Sequence, residues 1–333
     1  MLPSIEIEEL IMSGAHALKR PWRKWVILLA ALALIAVPYF LGGYASRAGA
    51  ADVFPSEDAC HVTNNDTPRG DCGPFKQIYR ETFNTYRVPV GGFSRCGGDG
   101  DHHCAGLNTR NADGSYKYPG GPHYYSTLGA YPNGWPDTAT SGADGNGGRT
   151  FGGYYRPQDT TSVIKQPNGD GQLRVKMWRS SSGGSVHSAA PVPLRCMDLR
   201  YGKFTERFIV RTTTNGYKAA HLHYSPDEID YPEAGGNFAT DPISVFTHGF
   251  REYGRDVAPN SAWRSWHTYS QEIVPGKVRI YFDGKLVASI TGDYPRSTPW
   301  VLQNEAALAG GYAAPGSSVT IDTTGLTCYS YQP

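Results

Sequence analysis

The chain has 333 residues, a formal net charge of +1, only 18% charged side chains, and 40 glycines, 24 prolines and 22 tyrosines. This near-neutral balance excludes an electrostatically driven nucleic-acid partner. The Gly, Pro and Tyr content argues against a helical bundle and for short strands joined by turns. Length alone allows two domains, but a single β-sandwich with long loops accounts for most of it.

The N-terminus stands apart from the rest. Lys19, Arg20, Arg23 and Lys24 precede Trp25 to Tyr44, a run without any charge. About 20 apolar residues suffice to cross a bilayer, and basic residues before such a run predict that residues 1–24 form a cytoplasmic tail. Residues 25–44 are therefore read as a transmembrane anchor or a signal sequence. The small residues at 48–50 supply a cleavage site for the second case. Both alternatives export the remainder of the chain, so the expected location is the cell membrane with an extracellular domain, or the medium. Residues 45–71 are small and polar and read as a linker, leaving 72–333 as the folded domain.

Export decides how the six cysteines are read. An even number in an oxidising compartment points to disulfides, and the expected pairs are Cys60–Cys72, Cys96–Cys104 and Cys196–Cys328. A zinc site built from Cys96, His102, His103 and Cys104 is the competing reading of "CGGDGDHHC". It lacks a second ligand pair at finger-like spacing, so no metal is expected. "DGNGG" resembles part of a calcium loop, but the acidic ligand that should follow is missing, so it is read as a turn and a structural calcium is unsupported by the sequence.

Downstream, strand-like segments alternate with turns. In "QLRVKMW" (172–178) apolar and basic residues alternate, the pattern of a half-buried strand. "YGKFTERFIVRTTT" (201–214) reads as another strand. "KVRIYFDGKLVASI" (277–290) is a hairpin around Asp283-Gly284, a dipeptide that suits a two-residue turn. "SVTIDTTGLTCYSY" (318–331) reads as a closing strand. Residues 91–160 are rich in Gly, Asn, Asp and Tyr and read as long functional loops. The pattern predicts an all-β fold, a sandwich of two antiparallel sheets.

The chemistry concentrates in "DEIDYPE" (227–233). Strand alternation puts Glu228 and Asp230 on one face and Ile229 on the other. Glu233 would fall on the wrong face unless one extra residue intervenes. Pro232 makes a β-bulge plausible there, since proline lacks the N–H that a central ladder needs. Three carboxylates in one groove suit glycoside cleavage, where one acts as nucleophile and another as general acid and base. The competing reading of the same cluster is a solvated acidic patch.

Set in order along the chain, these blocks resemble glycoside hydrolase family 16, the laminarinase-like β-glucanases with a concanavalin-A-like β-jelly roll. Glu228-Ile229-Asp230-Tyr231-Pro232-Glu233 matches the bulged E-x-D-x-x-E signature. "YRETFN" (79–84), "YGKFTERF" (201–208), "WHTYSQEIVPGKVRIYFDGKLV" (266–287) and "PWVLQNEAALAGG" (299–311) match further blocks. The resemblance implies that Glu228 is the nucleophile, Glu233 the general acid/base and Asp230 the carboxylate that orients them. It implies that His248 faces the cleft and that no cofactor is needed. Trp135, His221, Tyr231 and Asn304 are the further residues expected to bind substrate. In "NGYKAAHLH" (215–223) the aromatic platform of glucan-cleaving members is replaced around Lys218, His221, Leu222 and His223. The two histidines share a strand face, lining the cleft or packing inside.

The expected function is a retaining endo-glycosidase acting on an extracellular β-linked polysaccharide, with β-1,3-glucan first. A β-galactan hydrolase or transglycosylase is the alternative within the same chemistry, and a lectin-like binding sandwich or an inert ectodomain lies outside it. The implied partners are polysaccharide and, through residues 25–44, the membrane; no protein partner is implied.

Overall fold

The computed structural model describes residues 67–98, 101–143 and 147–333. The expected anchor or signal segment, most of the linker, Cys60 and the first three residues of "DGNGG" lie outside the described residues. Among the described residues no helix is long and apolar enough to cross a membrane.

In chain order the strands are β1 (Phe75–Glu81), β2 (Leu128–Ala130), β3 (Gly153–Tyr155), β4 (Thr161–Lys165), β5 (Gly171–Arg179), β6 (Val186–Ser188), β7 (Pro191–Pro193), β8 (Gly202–Val210) and β9 (Tyr217–His223). They continue as β10 (Glu228–Glu233), β11 (Ile243–His248), β12 (Tyr253–Ala258), β13 (His267–Val274), β14 (Lys277–Phe282), β15 (Lys285–Thr291), β16 (Trp300–Ala306) and β17 (Ser318–Tyr331). Among the described residues only short helices interrupt them, the longest being Gly121–Thr127. A ten-stranded sheet runs β15-β14-β13-β8-β17-β5-β6-β3, with β1 on β17 and β4 on β5, and a five-stranded sheet runs β12-β11-β10-β9-β16. The pairing is antiparallel except between β3 and β6, which are parallel. One parallel contact, made by a strand from the region read as loop, is the departure from the expected all-antiparallel sandwich.

The two sheets meet through alternating side chains. On β8, Phe204, Glu206 and Phe208 point toward the five-stranded sheet: the Phe204 ring lies 4.3 Å from His223 and 5.6 Å from Trp300, and Phe208 lies 4.9 Å from His221. Each such aromatic contributes roughly 1.5–3 kcal/mol by leaving water. Tyr231 joins this layer from β10, its ring 5.9 Å from Tyr269 and its hydroxyl donating to the Tyr281 carbonyl at 2.8 Å. The hairpin turn between β14 and β15 forms at Asp283-Gly284, with φ of 48° and 77°. Both residues adopt the left-handed conformation that this two-residue turn demands.

Two disulfides stand on described residues, Cys96–Cys104 and Cys196–Cys328. Bonding between Cys96 and Cys104 removes the thiolate pair that zinc would need. His103 Nδ1 instead contacts the Tyr125 carbonyl oxygen at 2.7 Å, and His102 packs on Tyr131. The second bridge ties a helical turn at Leu194–Cys196 to β17 across 132 positions. A loop of that length makes the bridge a strong constraint on the unfolded chain. The Cys196→Ala/Cys328→Ala variant should therefore lose about 2–5 kcal/mol, read as a lower urea midpoint than the parent protein under oxidising conditions.

Candidate active site

β10 is the central strand of the five-stranded sheet. Its register slips between Asp230 and Glu233 against both neighbours, β9 and β11. The irregularity coincides with Pro232, whose bond to Tyr231 is cis. Proline cannot donate to a ladder, so a central strand accommodates it only where pairing is broken. The slip restores Glu233 to the face carrying Glu228 and Asp230, and all three line one open cleft of about 520 Å³. β9 adds Lys218, Ala220 and Leu222 to that cleft, β16 adds Gln303 and Glu305, and His248 stands at the end of β11.

Charge in the cleft is organised around Lys218. Its ammonium donates to Glu233 Oε1 at 2.7 Å, and both side chains are nearly buried. Burial pulls the lysine pKa down, but Glu233, Glu305 and Asp230 outweigh it and hold the ammonium above the usual lysine range. Glu305 is fully buried beneath, accepting from the Thr138 hydroxyl at 2.9 Å, the Thr138 amide at 3.2 Å and the Tyr155 hydroxyl. Burial and then Glu305 push Asp137 up to about 6, against the backbone amides of Ala306, Gly153 and Thr140 from which it accepts.

The other two carboxylates hold protons more tightly than usual. Burial pushes Glu228 up to about 7, with His248 opposing and Glu233 adding to the shift. Burial, Glu233 and Glu228 push Asp230 well above the carboxylate range. Crowded like charges do not all ionise. His248 Nε2 lies 3.6 Å from Asp230, while its Nδ1 faces Glu252 at 3.1 Å.

Several residues expected at the substrate lie elsewhere. His221 points into the sandwich, its Nδ1 2.8 Å from both Glu206 oxygens and its Nε2 3.4 Å from Asn304. His223 follows on the same face, and burial lowers it to about 3, so it stays neutral. Asn304 is also on the core face, its amide donating to the Ala189 and Leu302 carbonyls. Tyr231 belongs to the core layer described above. The common reason is strand parity: Trp300 is buried in the core, so Leu302, Asn304 and Ala306 follow it, and Gln303 and Glu305 turn to the cleft. Trp135 packs on Tyr131 at 5.7 Å and is absent from the cleft lining. Tyr155 contacts Glu305 from below, and Trp178 stacks on His187 at 3.9 Å.

Glu305, Gln303 and Tyr224 are among the residues that line the cleft without having been expected there. Tyr224 is half-exposed and lines the cleft beyond β9. The sequence signal for it is the alternation Lys218, Ala220, Leu222, Tyr224. The signal for Glu305 is a carboxylate inside an otherwise uncharged strand. Among the described residues no group of three or more His, Cys, Asp or Glu side chains is placed to hold a metal ion.

Comparison with known proteins settles the family. The model of glycosyl hydrolases family 16 matches residues 153–325, more than half of the chain and including the whole five-stranded sheet. The chain belongs to glycosyl hydrolases family 16. It is thus a glycoside hydrolase with the family's jelly-roll sandwich. The fold is similar to that of SCLam, a non-specific endo-β-1,3(4)-glucanase of the same family, at 16% identity and a TM-score of 0.52, covering 84% of this chain and 98% of that one. It is likewise similar to a putative β-glucanase from Mycobacterium abscessus at 16% identity and a TM-score of 0.51, covering 76% and 100%. No curated protein matches the sequence.

The raised Glu228 pKa of this family 16 hydrolase has a consequence for stability. The folded state binds the Glu228 proton more tightly than the unfolded chain, whose ordinary value is 4.5. The contribution is fully present below about 4.5 and is lost as pH rises through about 7. Glu228→Gln should therefore unfold at higher urea than the parent at pH 8, by about 1 kcal/mol after allowance for solvent screening. At pH 4 the two should nearly coincide. An unchanged difference between parent and variant across this range would remove Glu228 as the source.

Proposed function

We propose that this hydrolase is a retaining endo-glycosidase acting on β-1,3-glucan outside the cytoplasm. The observation that carries the reading is the bulge in β10, which turns Glu228, Asp230 and Glu233 into one open cleft. An open cleft, unlike an enclosed pocket, suits an internal attack on a long chain. The endo-β-1,3(4)-glucanase activity named for SCLam supports the glucan assignment, and the disulfides are in keeping with an oxidising compartment.

In the first step the Glu228 carboxylate attacks the anomeric carbon. The bond to the leaving oxygen breaks as Glu233 donates a proton to it. In the second, Glu233 takes a proton from water, whose oxygen attacks the same carbon and releases Glu228. Asp230, protonated beside Glu228, donates the hydrogen bond that stabilises the attacking carboxylate. Tyr224 offers a ring at the cleft edge for a sugar face, standing in for the aromatic floor that Lys218, Ala220 and Leu222 do not provide.

The Lys218–Glu233 ion pair favours a second reading, in which the two glutamates exchange roles. Glu233 is paired with an ammonium and Glu228 holds a proton up to about 7, which suits Glu233 as nucleophile and Glu228 as acid. A 2-fluoro glycoside that traps the covalent intermediate separates the two, because peptide mass mapping finds the sugar on one glutamate. Expected is Glu228.

Full-length protein incubated with laminarin should release reducing ends whose first-formed anomer, by proton NMR, is β. Glu233→Gln should lose about 10²–10⁴ in kcat on glucan, and Glu228→Gln should show no turnover above background. With Glu228 as nucleophile, activity should rise as pH passes through about 7, where Glu228 sheds its proton; with the roles exchanged it should fall there. An inverted first product would overturn double displacement, and full activity in both variants would overturn the site.

A further inference from the structure

Two carboxylates flank Lys218, and its ammonium is bonded to only one of them. Lys218 lies on β9 directly opposite Glu305 of β16, and the β-carbons of such cross-strand neighbours are about 4.5–5.5 Å apart. The ammonium is nevertheless turned the other way, to Glu233 Oε1 at 2.7 Å. It carries three donors on a flexible four-carbon stem. Glu233, Lys218 and Glu305 thus form a row across the adjacent strands β10, β9 and β16, with the cation in the middle. Among the described residues Lys218 is the one lysine or arginine in the cleft lining.

The two oxygens of Glu305 are unequally served. Oε1 accepts from the Thr138 amide, the Thr138 hydroxyl and the Tyr155 hydroxyl. Oε2 is buried and, among the described residues, has no hydrogen-bond partner. A buried acceptor left in that condition bears the full cost of its lost hydration, and a charged one bears more. The other titratable groups around the row are Glu228 and Asp230 on β10, His248 on β11, Asp137 and Tyr155 beside Glu305, and Tyr131 just after β2. None of them donates to Oε2.

We propose that Lys218 is a positioning residue with two stations, bonded to Glu233 while that group is an anion and to Glu305 Oε2 while Glu233 is neutral. The inference rests on the reading of Glu233 as one of the two catalytic glutamates, and holds for either assignment of their roles. As general acid, Glu233 is neutral until it gives its proton to the leaving oxygen. As nucleophile, it is neutral while esterified by the sugar. In both cases its charge disappears once in each turnover, and the attraction that holds the ammonium to Oε1 disappears with it. Glu305, which accepts from every partner it has, is the carboxylate left to receive the cation. Lys218 keeps its three protons throughout, and only its partner changes.

The test uses full-length protein and isosteric variants. Glu233→Gln is a lasting copy of the neutral state, so its crystal structure should show Lys218 Nζ about 2.7–3.2 Å from Glu305 Oε2. An ammonium still bonded to the side-chain oxygen at position 233 would overturn the proposal. In solution, the coupling between Lys218→Met and Glu305→Gln, taken from urea midpoints, should be larger in the Glu233→Gln background than in the parent. Equal coupling in the two backgrounds would count against the exchange as decisively. Glu305→Gln keeps an acceptor oxygen for Thr138 and Tyr155 but removes the second station. On laminarin it should lower kcat by about tenfold and leave KM unchanged, whereas a parental kcat would show that turnover does not need the exchange. Failure of the parent itself to cleave laminarin bears on the glucan reading alone, because the position of the ammonium in Glu233→Gln still decides this proposal.

Discussion

Everything distinctive about the cleft depends on one broken periodicity. A strand offers its side chains to two faces in strict alternation, so two carboxylates three positions apart normally lie on opposite sides of a sheet. In β10 that alternation holds from Glu228 to Asp230 and is interrupted before Glu233, where the register slips against both flanking strands. The interruption occurs in the centre of a sheet, where each residue is paired on both sides and an error of register would move a whole hydrophobic set into water. Ile229 and Tyr231 remain in the core while the acids remain in the groove. The bulge therefore separates two demands that alternation alone cannot meet together.

Concentrating acids on one face has an electrostatic cost, and the neighbouring strands offset it. Lys218 of β9 answers Glu233, and Glu305 of β16 sits behind Lys218 with hydroxyl and amide donors of its own. β9 and β16 are paired so that Lys218 lies opposite Glu305, and β10 pairs with β9 so that Glu233 lies opposite Ala220. A small residue at 220 leaves room for the long lysine and glutamate side chains to meet above it. Breaking such a buried pair by removing one partner typically costs about 3–5 kcal/mol, so Lys218 is bound up with the stability of the cleft as well as its charge. An aromatic at that position would give a sugar a surface; a lysine gives the acid a counter-ion instead.

The parts of this arrangement that strand chemistry writes locally are legible in the sequence. Asp283-Gly284 announces its turn, the 318–331 stretch forms β17 over its whole length, and the spacing of Glu228, Asp230 and Glu233 with Pro232 between them requires the bulge that is present. What is not legible is parity on strands without a polar-apolar alternation to read. β9 is buried along its whole length, as is β16, so hydrophobicity gives no phase. Residue type assigns His221 and Asn304 to the cleft, yet each sits inside the sandwich on the phase that buried Trp300 sets, whereas Tyr231 follows Ile229 into the core by the alternation of β10. Trp135 departs from expectation differently: its place depends on loop packing against Tyr131, a contact no local pattern encodes.

The same parity argument links the two outer surfaces. Glu206 faces inward to meet His221, and this fixes Arg207 outward just as it fixes Ala220 and Leu222 toward the cleft. A buried histidine–carboxylate contact in the middle of the sandwich thus sets the phase of both sheets at once. Burial alone would push a lone carboxylate out of the core, and the imidazole contact is what retains it there. Replacing either partner with an apolar residue would leave the other unsatisfied between the sheets, whereas a surface charge such as Lys176 carries no such constraint. The acidic cleft and an arginine-lined cavity thus lie on opposite faces of one core: acids gather where β10 bulges, and arginines gather where β8 turns outward.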